Sequence, residues 1–153
     1  MIIGDSSALI TLAIIDQLAL LEKQYSTLFV PSAVYNEVIQ IGRPQSDKLK
    51  LFLQDKVKAI DLHISKLGLG LGELEAITLY KTLNADILLI DDNRAKKYAV
   101  LNGVKVIGSL GILINAKKAG NITKIKPLLE KIIQSEIYIS DQLIKKVLEI
   151  CHE

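Results

Sequence analysis

Short runs of apolar residues alternate with longer amphipathic segments along this chain, and this alternation constrains the fold more than any other feature. The clearest runs are Met1–Gly4, Thr27–Val30 and Ile87–Ile90, and each has the length of a buried strand. Between them, apolar residues recur at helical spacing. Apolar strands that are separated by helices form parallel sheets with both faces covered. The sequence therefore predicts an α/β fold, with three α/β/α layers around a central, mostly parallel sheet.

The remaining elements follow from the same periodicity and from glycine and proline stops. Two further strands are predicted at 57–60 and 104–107. Helices are predicted at 6–21 with a break near Asp16, and at 31–41, 46–54, 73–83, 93–101, 108–119, 126–134 and 141–151. No linker or repeat interrupts residues 1–153, so we expect one domain, with the helices from about residue 121 as an extension. That extension could cover a site, mediate dimerisation or complete the core.

Cysteine content and hydropathy indicate the compartment. The chain has one cysteine in 153 residues, so it has no disulfide framework and fits a reducing environment. The N-terminal region lacks a basic segment, and its longest uncharged stretch is too short to span a bilayer. We expect a cytoplasmic protein without a membrane partner.

Two aspartates directly follow predicted strands. Asp5 follows the first strand, and Asp91 follows the strand at 87–90. Functional groups of open parallel sheets gather beyond the carboxyl ends of the strands, so both carboxylates are candidate site residues. Each could instead be an N-cap of the next helix, for which aspartate is a favoured residue.

Two glutamates on predicted helices are further candidates. Glu37 shares a helical face with apolar residues, and an inward carboxylate there needs a metal ion or a basic side chain as its partner. Glu73 follows the glycine-rich run 68–72, which we expect to be flexible. A glutamate in a first turn can also simply offset the helix dipole. Glu75 lies two residues further on and is expected to point elsewhere.

Carboxylates gathered at one sheet edge repel each other unless a hard cation neutralises them. Mg²⁺ and Mn²⁺ prefer oxygen ligands. No zinc-binding set is evident, since the two histidines stand far apart and the one cysteine is near the C-terminus. A carboxylate-bound Mg²⁺ or Mn²⁺ suits phosphodiester hydrolysis.

Charge is unevenly distributed along the chain. Residues 94–131 contain nine basic residues and one acidic residue, whereas residues 1–93 contain more acidic than basic residues. A positive flank beside an acidic site favours polyanion binding, although lysines also simply solvate helix faces. The basic residues predicted to contact nucleic acid are Arg94, Lys96, Lys97, Lys117 and Lys118.

Five stretches occur in an order and spacing that resemble those of the PIN-domain nucleases, in particular the branch near the VapC-type toxins. These stretches are Ile3–Ile10, Val30–Val38, Leu71–Ile77, Leu88–Arg94 and Val106–Leu113. The resemblance extends from residue 2 to about residue 148. It implies Mg²⁺- or Mn²⁺-dependent endonuclease cleavage of single-stranded RNA. It also implies a homodimer that an antitoxin holds inactive, as in a toxin–antitoxin pair.

The same resemblance assigns roles to individual residues. The catalytic acids of the family match Asp5, Glu37, Glu73 and Asp91. Its metal-binding positions match Asp5, Glu73, Asp91 and Asp92. Asp92 shares the assignment with Asp91 because the alignment there could slip by one residue. Ser6, Ser7 and Ser109 match hydroxyls that support the site. Glu73 replaces the aspartate of many toxins, and the extra methylene changes metal geometry.

Three other functions compete with this one. A phosphate-binding loop does not fit, since the glycines at 68, 70 and 72 lack both the G-x-G-x-x-G spacing and a following Lys-Ser/Thr. A phospho-receiver domain would have its acidic pair after the first strand, whereas here the pair follows the later strand. The third alternative is a catalytically weak PIN-like module that binds RNA or a protein partner.

Overall fold

The structure, a computed structural model, describes residues 1–61 and 69–153. Its strands are β1 (Ile2–Gly4), β2 (Leu28–Pro31), β3 (Val57–Lys58), β4 (Ile87–Leu89) and β5 (Val106–Ile107). Its helices are α1 (Ser6–Ile14), α2 (Ala19–Gln24), α3 (Ser32–Val38), α4 (Ser46–Leu53), α5 (Leu71–Thr82), α6 (Asn93–Leu101), α7 (Ser109–Lys118), α8 (Lys126–Ile133) and α9 (Asp141–Ile150). Among the described residues, none of these helices has the length and hydropathy needed to cross a membrane.

The five described strands form one sheet in the order β3-β2-β1-β4-β5, and every pairing is parallel. The chain moves outward from β1 to β2 on one side, and β4 then lies on the other side of β1. The strand order therefore reverses between β1 and β4, which is where open α/β sheets place their sites. In the register of these two strands, Gly4 pairs with Leu89.

Both faces of the sheet are covered, because neighbouring residues on each strand point to opposite faces. Ile2 and Leu89 belong to one core cluster, which includes residues of α1, α7, α8 and α9. Ile3 and Leu88 belong to the other, which α5 and α6 cover. The predicted three-layer α/β/α fold is confirmed, and the sheet is entirely parallel in the described part of the chain.

The C-terminal helices contribute to the main core. Leu129 and Ile132 of α8 and Val147 of α9 are nearly inaccessible to solvent in the same cluster as Ile2. The Glu153 carboxylate accepts hydrogen bonds from the backbone N–H groups of Ile125 and Lys126, at 2.7 and 3.3 Å. The C-terminal extension therefore completes the core, which is one of the three roles considered for it.

Several predicted boundaries were wrong by two or three residues. Helix α3 ends at Val38 rather than residue 41, because the chain turns at Ile39 and exposes Ile41 completely. Helix α5 begins at Leu71 rather than Glu73, so Gly72 is helical and not part of a flexible run. The predicted flexible segment also included Gly68, which lies outside the described residues. Strands β3 and β5 are shorter than predicted.

Candidate active site at the sheet switch point

Asp5 is the most buried acid at the switch point, with 3% of its surface exposed. It follows β1 and is the N-cap of α1, where its carboxylate accepts hydrogen bonds from the Ser7 N–H at 3.4 Å and the Ser7 hydroxyl at 3.0 Å. Burial raises the pKa of Asp5 to about 6, with a smaller contribution from the negative charge of Glu73. The hydrogen bonds from Ser7 oppose that rise. The N-cap interpretation is thus correct, yet capping does not offset the cost of burying the charge.

Ser7 connects the two predicted aspartates. Its hydroxyl donates to Asp5 and accepts a hydrogen bond from the backbone N–H of Asp91 at 3.2 Å. Next to this link, the Asp5 N–H donates to the Leu89 carbonyl at 2.9 Å. The ends of β1 and β4 are therefore joined by both backbone and side-chain hydrogen bonds.

The Asp91 carboxylate is held by Ser109, the first residue of α7. The N–H and the hydroxyl of Ser109 donate to its two oxygens, each at 2.7 Å. Gly108 packs against the same carboxylate, since a Cβ at this position would lie 2.9 Å from Asp91 Oδ1. These contacts fix the direction in which the Asp91 side chain points.

Asp92 has a different environment from its neighbour. It is exposed, and its carboxylate caps α6 by accepting a hydrogen bond from the Ala95 N–H at 2.8 Å. Its role as an N-cap is clear from this geometry. It nevertheless lies at the rim of the two cavities described below.

Glu37 and Glu73 approach Asp5 from two helices. Glu37, on α3, accepts a hydrogen bond from the Ser6 hydroxyl at 2.8 Å, and Gly72 of α5 packs against its carboxylate. Glu73 accepts from the Gly70 N–H at 2.8 Å, which closes the first turn of α5. The prediction that Glu37 leans inward agrees with this placement.

The four predicted acids lie around two adjoining cavities. Asp5, Glu37 and Glu73 line a cavity of about 650 Å³, together with Asp92. Asp91 lines a second cavity of about 760 Å³, which shares Ser7 and Asp92 with the first. Within residues 1–61 and 69–153, no three acidic, histidine or cysteine side chains stand close enough to hold one ion as they are. The acids are therefore neighbours without forming a complete coordination shell.

The chemistry of this donor set nevertheless fits a hard divalent cation. Every candidate ligand is a carboxylate oxygen, which Mg²⁺ and Mn²⁺ prefer. In the part of the chain that the structure describes, no salt bridge involves Asp5, Glu37, Glu73 or Asp91. A bound cation would supply the positive charge that the buried Asp5 lacks.

The predicted nucleic-acid contacts are dispersed. Lys96 lines the second cavity, whereas Arg94 and Lys97 lie exposed elsewhere on α6. Lys117 donates to the Thr123 carbonyl and, at 3.1 Å, to Glu153, so it serves the C-terminal fold. Lys118 is exposed near the end of α7. Of the five predicted residues, Lys96 lies nearest to the acids.

Glu75 has a structural role that was not predicted from the sequence. Its carboxylate crosses from α5 to α3 and accepts a hydrogen bond from the Ala33 N–H at 2.8 Å. Because α3 begins at Pro31–Ser32 without a side-chain cap of its own, Glu75 satisfies a free donor there. It thereby fixes the start of the helix that carries Glu37. Its position near the start of α5 was a sequence signal for hydrogen bonding to a helix N-terminus. The helix that it caps, however, lies far away in the sequence.

Removing the Glu75 carboxylate should destabilise the protein. Glu75→Ala leaves the Ala33 N–H without its acceptor, and we expect a loss of about 1–2 kcal/mol in the free energy of unfolding. Glu75→Gln is the matched control, since its amide oxygen can still accept the hydrogen bond and should preserve most of the stability. Urea unfolding of both variants measures the difference. Equal stability of wild type and Glu75→Ala would contradict the capping role.

Comparison with known families identifies the chain. The family model that matches it is described as "DUF3368: PIN domain", and the match covers residues 1–153. The chain belongs to the PIN-domain family. PIN domains are generally nucleases and typically use divalent metal ions, which agrees with the donor set at the switch point. No curated protein and no solved structure matched this PIN domain.

Proposed function

We propose that this PIN domain is an endoribonuclease that hydrolyses single-stranded RNA with Mg²⁺ or Mn²⁺ as cofactor. The observation that carries the proposal is the buried Asp5 carboxylate, whose pKa is raised to about 6 beside Glu73 and which Ser7 joins to Asp91. A protein gains nothing in stability from burying a charge in this way. Such a group is typical of a functional site.

In the proposed mechanism, Asp5, Glu73 and Asp91 would hold the cation once their carboxylates move closer together than they stand here, and Asp92 would add negative charge at the rim. When bound, the cation supplies Lewis-acid activation of the phosphodiester and of water. Ser7 and Ser109 keep the aspartate carboxylates oriented through the hydrogen bonds described above. Glu37, which Ser6 holds at the cavity wall, would accept the proton of the water that attacks phosphorus. As the bond to the leaving ribose oxygen breaks, that oxygen would take a proton from solvent.

A nucleic-acid substrate is supported by the family and by the positive charge of residues 94–131; the choice of RNA rests on the resemblance. Of the five predicted contacts in this segment, Lys96 lines the cavity of Asp91, where its charge favours binding of a polyanion. The toxin role, the antitoxin partner, the homodimer and the cytoplasmic location stay predictions that rest on the resemblance and on composition.

The direct test is cleavage of a mixed-sequence single-stranded RNA by the full chain with Mg²⁺ or Mn²⁺, compared with the same reaction in EDTA. We expect internal cuts that require the metal. Single-stranded DNA and double-stranded RNA of the same sequence are the control substrates. If the protein binds the RNA but never cleaves it with either metal, the binding-module alternative is correct instead.

A further inference from the structure

The second cavity is a groove that extends away from the acids. It runs between α7 and the chain segment 137–140 that leads into α9, with a volume of about 760 Å³. Ile114, Ile139 and Leu143 contribute apolar walls. This volume falls in the range of sites that bind small organic groups. None of these apolar residues belongs to the predicted acid site.

The groove opens directly onto the candidate active site. Ser7, Asp91 and Asp92 are among its lining residues, and the same Ser7 and Asp92 border the cavity that contains Asp5. A polymer whose phosphate lies at the acids therefore has this groove as the place for its neighbouring nucleotide. The continuity of the two cavities favours a segment of the substrate as its occupant.

Tyr138 presents an aromatic ring at the edge of the groove. It lines the groove while 88% of its surface is exposed, so it has no packing role in the core. The segment around it is held on both sides, because the Ile137 N–H donates to the Ser135 hydroxyl at 3.1 Å and Ser140 caps α9. An exposed ring on a fixed segment is suited to base stacking, since every base has a π-face.

Two lysines supply positive charge to the groove. Lys96 of α6 lies beside the acids, and Lys146 of α9 lies further along the wall. A nucleotide would fit this groove, because the groove combines apolar walls, an exposed ring and cationic side chains beside the candidate active site. We propose that this groove binds the nucleobase next to the scissile phosphate, with Tyr138 as its stacking platform and Lys146 as a phosphate contact. The proposal rests on the proposed nuclease function.

The absence of tryptophan from the sequence makes a specific fluorescence test available. Tyr138→Trp would contain a single tryptophan, located in the groove. It is titrated with a short single-stranded oligouridylate and with the same backbone carrying abasic residues, using Ca²⁺ in place of Mg²⁺ and checking the oligomer for cleavage. We expect quenching by the oligomer with bases and little by the abasic one. Leu101 is about equally exposed at the end of α6 and lies outside the groove. The fluorescence of Leu101→Trp should therefore be quenched by neither oligomer.

Affinity measurements with conservative variants complete the test. Tyr138→Ala should weaken RNA binding roughly 5- to 150-fold, the range found for losing one base–aromatic stack, whereas Tyr138→Phe should bind nearly as wild type. Lys146→Gln should weaken RNA binding. It should also reduce the slope of log affinity against log salt concentration by about 1. Lys145→Gln is its matched control, since Lys145 is exposed on the same helix but does not line the groove.

The outcomes separate this proposal from the nuclease proposal. Equal quenching by the abasic oligomer, or no quenching although the wild type cleaves RNA, overturns the base-binding groove alone. If the wild type neither binds nor cleaves RNA, both proposals fail. If Tyr138→Ala alters self-association or capture of an apolar peptide while RNA affinity is unchanged, the groove binds a protein and the nucleobase assignment is wrong.

Discussion

Asp5→Asn is expected to abolish metal-dependent cleavage and, at the same time, to stabilise the metal-free protein at neutral pH. Loss of the carboxylate removes a ligand whose charge a cation requires, and we expect the rate to fall by about 100-fold or more. The asparagine can still cap α1, since aspartate and asparagine are equally good caps. The cleavage assay described above measures the first effect.

The stabilising effect follows from the raised pKa. Folding increases the pKa of Asp5 from 3.8 to about 6 because the carboxylate is buried. Its favourable contribution to folding is therefore complete below pH 3.8, decreases as the pH rises and is lost above about pH 6. At pH 7.5 the buried charge costs on the order of 2–3 kcal/mol. Asp5→Asn removes that cost.

Thermal unfolding of the metal-free proteins at pH 5 and pH 7.5 checks this expectation. The melting temperature of Asp5→Asn should exceed that of the wild type at pH 7.5, with a smaller difference at pH 5. Asp16→Asn is the control, because the exposed Asp16 has its pKa lowered by a hydrogen bond from Lys48 and its replacement should not stabilise the protein. Adding Mg²⁺ should stabilise the wild type more than Asp5→Asn. If Mg²⁺ stabilises both to the same extent, Asp5 is not a ligand.

Asp91→Asn and Asp92→Asn should differ sharply in activity, although the two substitutions are chemically identical. The Asp91 carboxylate is directed by Ser109 and joined to Asp5 through Ser7, so we expect its loss to reduce cleavage by about 100-fold or more. Asp92 is exposed and caps α6, a task that asparagine performs equally well. We expect Asp92→Asn to retain most of the activity.

Single-turnover cleavage rates and unfolding curves of both variants test this pair. Both proteins should remain folded, since each asparagine can keep an acceptor for the helix N–H that its aspartate binds. Comparable losses of activity in the two variants would assign Asp92 to the metal site as well. A larger loss in Asp92→Asn would mean that the alignment with the family is displaced by one residue.

Much of the fold could be predicted from local pattern. Apolar runs such as Ile87–Ile90 indicated buried strands, and glycines with positive φ, such as Gly103 and Gly120, marked helix ends correctly. The end of α3 could not be predicted, because Ile41, which continues its apolar spacing, is exposed beyond the turn at Ile39. Periodicity describes which residues could be buried, whereas packing decides which of them are.

Local sequence pattern also predicted part of the candidate site. Strand ends located Asp5 and Asp91, since parallel strands end at one edge of the sheet. The hydrogen bonds that orient these carboxylates join residues far apart in sequence, and the roles of Ser7 and Ser109 came only from the resemblance. Glu75 and Tyr138 were not identified, because the partner of one is 42 residues away and the other becomes significant only beside a groove.

The free-energy cost of burying the charge of Asp5 has a consequence for the interpretation of related sequences. Asp91 accepts hydrogen bonds from the first residue of α7 and Asp92 caps α6, so a descendant that had lost its chemistry would still need a hydrogen-bond acceptor at both positions. Asp5 is different, because its charge opposes folding and an uncharged residue could cap α1 without that penalty. Drift after loss of activity should therefore replace Asp5 first. In a family survey, an aspartate at this position is a better marker of a working enzyme than the acidic pair after β4.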